Sequence, residues 1–349
     1  MRQSIKCVFR GLIFLLVVGI SVELLVESYM FVDSKRKQEE PKPFYRWSFY
    51  TSQGQRLGNQ RGMLKFMYHP QLAYVNFPNQ RTKYFSINSE GFRGPEVEAK
   101  KVGERRIVVV GGSSAFGAGL MSDAETFEAK LGEKNKNVEV INAAVVGYKS
   151  AQELVFLVTK GMDLHPDLIL AFDGSNDCWE LDKEWPDVNG AYMIQDNLNY
   201  LDGFIYSNFF MRCVNIYRSI LAKTIYYFHS REISDEKDSD NVGSLYAATY
   251  CANILKMDRL AKSYHANFIC FLQPVKRLMY GREARVRERY LFSRAKEVFD
   301  RNNIKYVDLN LYKGLIKKEY FMDDVHLDAR GNQIIADIID RRLHKGDLL

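Results

Sequence analysis

Arg106-Ile107-Val108-Val109-Val110-Gly111-Gly112-Ser113-Ser114-Ala115-Phe116-Gly117 is the stretch on which the fold turns. Its opening run is β-branched, short and apolar, so it reads as a buried strand over 106–110. The glycines after it permit a tight strand-to-helix turn, which leaves a serine hydroxyl exposed beside free backbone N–H groups. Outward from here the pattern repeats. A second run, 138–142, leads through Ala143-Ala144-Val145-Val146-Gly147-Tyr148 into a helical stretch near 150–162, with apolar residues at helical spacing at Leu154, Leu157, Val158 and Met162. A third, 168–172, follows Pro166. A fourth, 267–272, and a fifth, 305–309, each follow a helical pattern, at 244–264 and 282–301, and a last helix begins near Ala329. Strands alternating with helices imply right-handed crossovers, hence an α/β fold with a parallel sheet covered by helices on both faces.

Composition bounds the rest. The 349 residues are 46% hydrophobic and 26% charged, an ordinary globular balance with room for one large α/β domain and an appendage. The net charge of +6 is mild, and its cations often sit beside acids, as in Glu283-Ala284-Arg285-Val286-Arg287-Glu288-Arg289. This reads as solvated surface, with no nucleic-acid partner. Cys7, Cys178, Cys213, Cys251 and Cys270 form no CxxC pair and meet no His at ligand spacing, so no metal site is expected. Their pairing is left open.

Residues 11–32 are apolar apart from a few positions, Glu23 and Glu27 among them near the far end. A helix of this length can cross a hydrocarbon core of roughly 30 Å. A transmembrane anchor, a cleaved signal peptide and a buried helix all fit the pattern; the lack of a small-x-small cleavage site favours the anchor. Arg2, Lys6 and Arg10 precede it, while Lys35, Arg36 and Lys37 follow, so charge bias leaves orientation open. The polar stretch 33–60, with Pro41 and Pro43, reads as a stalk, and 61–100 as short strands and turns leading in. An aromatic-rich insert spans 179–241, either a lid or an extra helical hairpin, and its acidic end, 234–241, reads as an exposed loop.

In a parallel sheet, sites form beyond the carboxyl ends of the strands. There the chain places Gly111-Gly112-Ser113, Gly147, Gly174-Ser175-Asn176-Asp177 and Asp323-Asp324-Val325-His326, in that order. Each fragment alone is weak: a phosphate cradle or loop, a plain turn, a surface pair. Together they resemble the SGNH (GDSL-type) hydrolase family, esterases and carbohydrate acetylesterases of flavodoxin-like fold. Ser113 with Gly117 matches the family's first block, Gly147 the second, Gly174-Ser175-Asn176-Asp177 the third and Asp323 to His326 the last. One departure is Gly112, where the family carries Asp; no catalytic group is lost. The likeness covers about 105–340, and 88–96 also resembles membrane-anchored bacterial members linked to surface polysaccharides.

The resemblance implies a five-stranded SGNH domain over 101–349, catalytic Ser113, Asp323 and His326, an oxyanion hole of Ser113, Gly147 and Asn176, and no cofactor. Chemistry agrees. A serine hydroxyl needs a base to take its proton, imidazoles titrate near neutrality, and Asp323, three residues before His326, can hold the useful tautomer. Asp324 is the rival orienter, set aside on the family's spacing. Asp177 is expected to fix its loop, Ser114 to cap the helix, Arg93 to form a structural ion pair and His165 to be structural. Gln273-Pro274 is expected either to wall the pocket or to form a plain turn. His69, His229, His265 and His344 lack an acid at orienting spacing and read as surface or core residues. The expected activity is hydrolysis of an acyl ester, an O-acetyl group on a carbohydrate. The alternatives are acyl transfer by the same triad or a catalytically silent glycan-binding module. A nucleotide-binding reading lacks the Lys-Ser/Thr ending of a phosphate loop. The family's glycan-modifying members place the domain outside the cell membrane, with residues 1–10 cytoplasmic.

Overall fold

The apolar runs pair edge to edge in the computed structural model, which describes residues 47–50, 56–57, 64–178, 236–281 and 286–346. In chain order the main domain comprises β1 (Arg105–Gly111), α1 (Ser113–Phe116), α2 (Phe127–Lys134), β2 (Val138–Asn142), α3 (Ser150–Thr159), β3 (Leu168–Asp173) and α4 (Glu236–Ser263). It continues with β4 (Asn267–Leu272), α5 (Lys276–Tyr280), α6 (Val286–Arg301), β5 (Tyr306–Asp308) and α7 (Ala329–Lys345). The five strands are parallel, in the order β5-β4-β3-β1-β2, which is the doubly wound, flavodoxin-like order read from the other edge. Ile107 pairs Leu168 and Val109 pairs both Leu170 and Asn142. β1 is buried beyond its first residue and β3 throughout, so the two central strands read as continuous apolar runs instead of alternating ones.

Right-handed crossovers assign the helices. The step from β1 to β2 moves toward one edge and carries α2; the steps from β2 to β3, β4 and β5 move the other way, so their helices take the opposite face. Accordingly α2 packs with α7, while α3 packs with α4 and α4 with α6. The β1/β3 boundary is where the winding reverses, and a crevice opens there at the carboxyl ends.

Several elements differ from expectation. The helix α2, started by Thr126 accepting from the Ala129 N–H, was not anticipated, nor was α5. The run 234–241 was expected to be an exposed loop, yet from Glu236 onward the chain is already helical. Residues Trp47–Tyr50 and Arg56–Leu57, inside the expected stalk, are strands of a four-stranded sheet with Leu64–His69 and Ala73–Asn76. The hydrophobic segment 11–32 and most of the insert, 179–235, lie outside the described residues; among those described, no helix is long and apolar enough to cross a membrane. Cys178, Cys251 and Cys270 are buried free thiols.

Candidate active site

Ser113 opens α1 immediately after β1, so its own N–H and that of Ser114 have no partner within the helix. Gly112 precedes it with no side chain, and a Cβ there would run into Asn176 Nδ2. The departure from the family's Gly-Asp-Ser block thus coincides with a close approach that only glycine allows. The far end of α1 is gripped by Arg93, buried, whose Nη1 donates to the Phe116 and Gly117 carbonyls at 2.9 and 2.7 Å. Its Nε pairs with Asp123 at 2.8 Å.

Asp323 and His326 share a tight loop before α7, closed by a Phe321–Leu327 bridge and by Met322 N–H donating to the His326 carbonyl at 2.9 Å. His326 Nε2 lies 2.8 Å from Ser113 Oγ, and Nδ1 lies 2.6 Å from Asp323 Oδ2. A carboxylate only accepts, so Nδ1 donates to it and the bare Nε2 accepts from the Ser113 hydroxyl. Burial pushes the Asp323 carboxyl up. The His326 hydrogen bond and charge, with the Val325 and His326 N–H groups at 2.9 and 2.8 Å, outweigh it and hold the pKa at about 2. Asp323 therefore stays an anion. Asp324 faces elsewhere: its carboxylate meets Arg277 Nη1 at 3.4 Å, and its carbonyl accepts from Lys276 N–H at 2.7 Å.

The loop after β2 brings in Gly147, whose φ of +82° is left-handed and which only glycine adopts without strain. Among the described residues neither the Gly147 nor the Ser113 N–H has a hydrogen-bond partner. Asn176, on the loop after β3, donates one Nδ2 hydrogen to the Tyr148 carbonyl at 2.8 Å, leaving the second free. Below it Asp177 accepts from Ser150 Oγ at 2.6 Å and from its N–H at 3.3 Å, and Asn253 Nδ2 donates to Ser150 Oγ at 3.0 Å. Asp177 thus joins its loop to the start of α3. Nearby, Tyr250 OH donates to Asp173 at 2.6 Å. Burial, together with the Asp177 charge, raises the Asp173 carboxyl to about 7, and burial drives its neighbour Glu153 well above the usual range. Both shifts run upward, the direction that burial and a neighbouring acid impose on a carboxyl group.

Other candidates resolve plainly. Ser114 was expected to cap the helix; instead it sits within α1, and its Oγ donates to the Val325 carbonyl at 3.1 Å and accepts from Gln273 Nε2 at 3.3 Å. It ties the Ser113 turn to the His326 loop. Gln273 is buried, and its backbone carbonyl accepts from Asn310 Nδ2 at 3.0 Å, so it braces the turn after β4. His344 does have an acid nearby: Nδ1 lies 2.9 Å from the Asp340 carbonyl and 3.6 Å from its carboxylate, a pair at helical i, i+4 spacing on α7. His69 Nδ1 accepts from Leu72 N–H at 3.2 Å, His165 ends a short turn with φ +52°, and His229 lies outside the described residues. No group of His, Cys, Asp and Glu among the described residues could hold a metal ion.

Fold and site together form a flavodoxin-like sheet whose strand ends present a hydroxyl, an imidazole and a carboxylate in hydrogen-bonded sequence, the arrangement of a serine triad. No protein-family model and no curated protein matches the chain. Among solved structures it is similar to a GDSL-like lipase from Bacteroides thetaiotaomicron at 16% identity, covering 71% of this chain and 93% of that one, with a TM-score of 0.43. It is likewise similar to the lipase/acylhydrolase from Enterococcus faecalis, at 17% identity over 70% and 97% of the two chains, TM-score 0.43. An acetyl xylan esterase, AlAXEase, gives 14%, 67% and 97%, with a TM-score of 0.41. Likeness at this level says nothing of substrate.

Proposed function

We propose that the chain hydrolyses an acyl ester through an acyl-enzyme on Ser113, and that the ester is an O-acetyl group on a carbohydrate. The observation that carries the chemistry is the relay from Ser113 Oγ to His326 Nε2, 2.8 Å, and from Nδ1 to Asp323, 2.6 Å. Ser113 Oγ attacks the ester carbonyl carbon as His326 Nε2 takes its proton. The carbonyl oxygen becomes an oxyanion facing the Ser113 and Gly147 N–H groups and the free Nδ2 hydrogen of Asn176. One such donor is worth about 2.7–4 kcal/mol in the transition state. Collapse breaks the bond to the alcohol oxygen, which leaves with the proton from His326. Water then attacks the acyl-Ser113, giving a proton to His326, and collapse returns Ser113 and the free acid. Asp323, anionic throughout, stabilises the imidazolium of each half-reaction.

The carbohydrate reading is supported by the resemblance of residues 88–96 to members linked to surface polysaccharide. In the same reading, residues 11–32 tether the domain outside the cell membrane, on the strength of their apolar length; a reporter fused to Leu349 that is active only in the cytoplasm would refute that placement. The chemistry is tested with p-nitrophenyl acetate and a fluorophosphonate probe. Ser113→Ala should abolish both turnover and labelling, and undiminished labelling of the variant would overturn the assignment. A panel of acetylated glycans, with and without an added acceptor sugar, then separates release of free acetate from transfer to a hydroxyl.

A further inference from the structure

The Gly147 donor is held from outside the catalytic domain's own elements. We propose that Tyr74, on the lead-in strand Ala73–Asn76, is a positioning residue for that donor, fixing the Val146–Gly147 peptide through its hydroxyl; the inference rests on the hydrolase reading above.

The Tyr74 OH donates to the Val146 carbonyl at 2.9 Å across 72 residues of chain, and both groups are buried. That carbonyl and the Gly147 N–H are the two ends of one planar trans peptide, so they point in opposite directions. Anchoring the oxygen aims the N–H. The turn makes this matter. Tyr148 N–H donates to the Val145 carbonyl at 3.0 Å, Gly147 has φ +82° and Val146 is not in the positive-φ region, which together define a type II turn. Type I and type II turns differ by a half-rotation of the central peptide, here Val146–Gly147. A flip to type I would turn the Gly147 N–H away and break the buried bond from the Tyr74 hydroxyl to the Val146 carbonyl, which disfavours the flip. A hydrogen bond to the carbonyl also polarises the amide, strengthening its N–H as a donor.

The grip is reciprocal. Tyr148 OH donates to the Tyr74 carbonyl at 2.6 Å, and the two rings meet edge to face at 5.5 Å. Phe66 packs edge-on against Tyr74 at 5.4 Å, and Asn76 Nδ2 donates to the Ala144 carbonyl at 3.3 Å. The lead-in strand thus sets the oxyanion loop, and among the described residues the Tyr74 hydroxyl is the side-chain group that bonds the peptide carrying the donor.

The test is Tyr74→Phe in the full chain, which keeps the ring and removes one oxygen. Per active site titrated with fluorophosphonate, kcat on p-nitrophenyl acetate should fall about 10- to 100-fold, below the 10²–10³ of outright donor loss, with KM within about twofold. Gln152→Met is the comparison: it cuts the 2.9 Å bond from Gln152 Nε2 to the Leu72 carbonyl beside the same strand and the 3.3 Å bond from the Lys149 N–H to Gln152 Oε1 at the start of α3, and leaves the Tyr74 bond to the Val146 carbonyl in place. It should lower the melting temperature and spare kcat. A Tyr74→Phe kcat within about twofold of wild type, or an equal loss in Gln152→Met, overturns the proposal. Labelling with 1-13C-valine and 15N-glycine selects the amides of Gly19, Gly103, Gly111, Gly147 and Gly243; the one lost from the selection in Val146→Ala is that of Gly147, read without turnover. Its resonance should shift in Tyr74→Phe, and a resonance that stays put also overturns the proposal. A shifted resonance in a protein that neither hydrolyses esters nor labels would instead retain the contact and sink the hydrolase reading.

Discussion

Gly112→Ala adds a single methyl group at the closest approach in the site. The new Cβ would meet Asn176 Nδ2 far inside contact distance and the Tyr148 carbonyl oxygen at 3.2 Å. Ordinary packing needs about 3.5 Å between such atoms, so the Asn176 amide must retreat by about 1 Å. It cannot retreat freely: its Nδ2 is bonded to the Tyr148 carbonyl at 2.8 Å, and the next residue, Asp177, is locked to Ser150. A misplacement of about 1 Å in a catalytic group costs on the order of 10²-fold, and complete removal of an oxyanion donor costs about 10²–10³. We therefore expect Gly112→Ala to lower kcat on p-nitrophenyl acetate about 10²-fold, with KM little changed because the donor acts on the transition state. Asn176→Ala sets the ceiling for a loss routed through that amide. The double variant should be no worse than Asn176→Ala alone, since the second change removes what the first displaces. Two results would refute this reasoning: a Gly112→Ala kcat within about threefold of wild type, or a double variant whose loss is the product of the single ones. The latter would mean that the methyl group distorts Ser113 itself.

The assignment of the orienting acid predicts a contrast. Asp323→Asn should reduce kcat about 10⁴-fold, as loss of tautomer control does in a serine triad, whereas Asp324→Asn, which breaks only the 3.4 Å contact with Arg277, should leave kcat within about threefold; equal losses would contradict the geometry. A second prediction concerns pH. Asp173 in the folded chain titrates at about 7 against 3.8 ordinarily, chiefly through burial, so folding takes up a proton between those values and stability should fall as pH rises through that window. Asp323 works in the opposite sense: held at about 2, it contributes stability that is lost as pH falls from about 4 toward 2. Denaturant midpoints measured from pH 2 to 8 should show both slopes, and Asp173→Asn should flatten the upper one; an unchanged upper slope would contradict the assignment.

Much of the sheet was readable locally. The strands 138–142 and 267–272 were expected with the bounds they have, because a short run rich in β-branched or aromatic residues between turn formers favours a strand. The strand ends likewise marked where Ser113, Gly147, Asn176, Asp323 and His326 would lie. Helix α2 was missed, although Thr126 before Phe127 and Leu131 is a cap followed by an i, i+4 apolar pair and could have revealed it. Ser114 was misread as a cap because its partners, Val325 and Gln273, stand more than 150 residues away along the chain.

That division has a physical cause. Backbone preference and hydrophobic periodicity act over a few residues, so the chain alone determined the alternation of strands and helices and which turns carry hydroxyl, amide, imidazole and carboxylate. Which groups then touch depends on sheet order and on layers packed across the whole domain. Only the tertiary structure decided that Asp323 and not Asp324 holds His326, that Asn176 leaves no room for a side chain at position 112, and that a tyrosine from the lead-in strand reaches the peptide of the Gly147 turn.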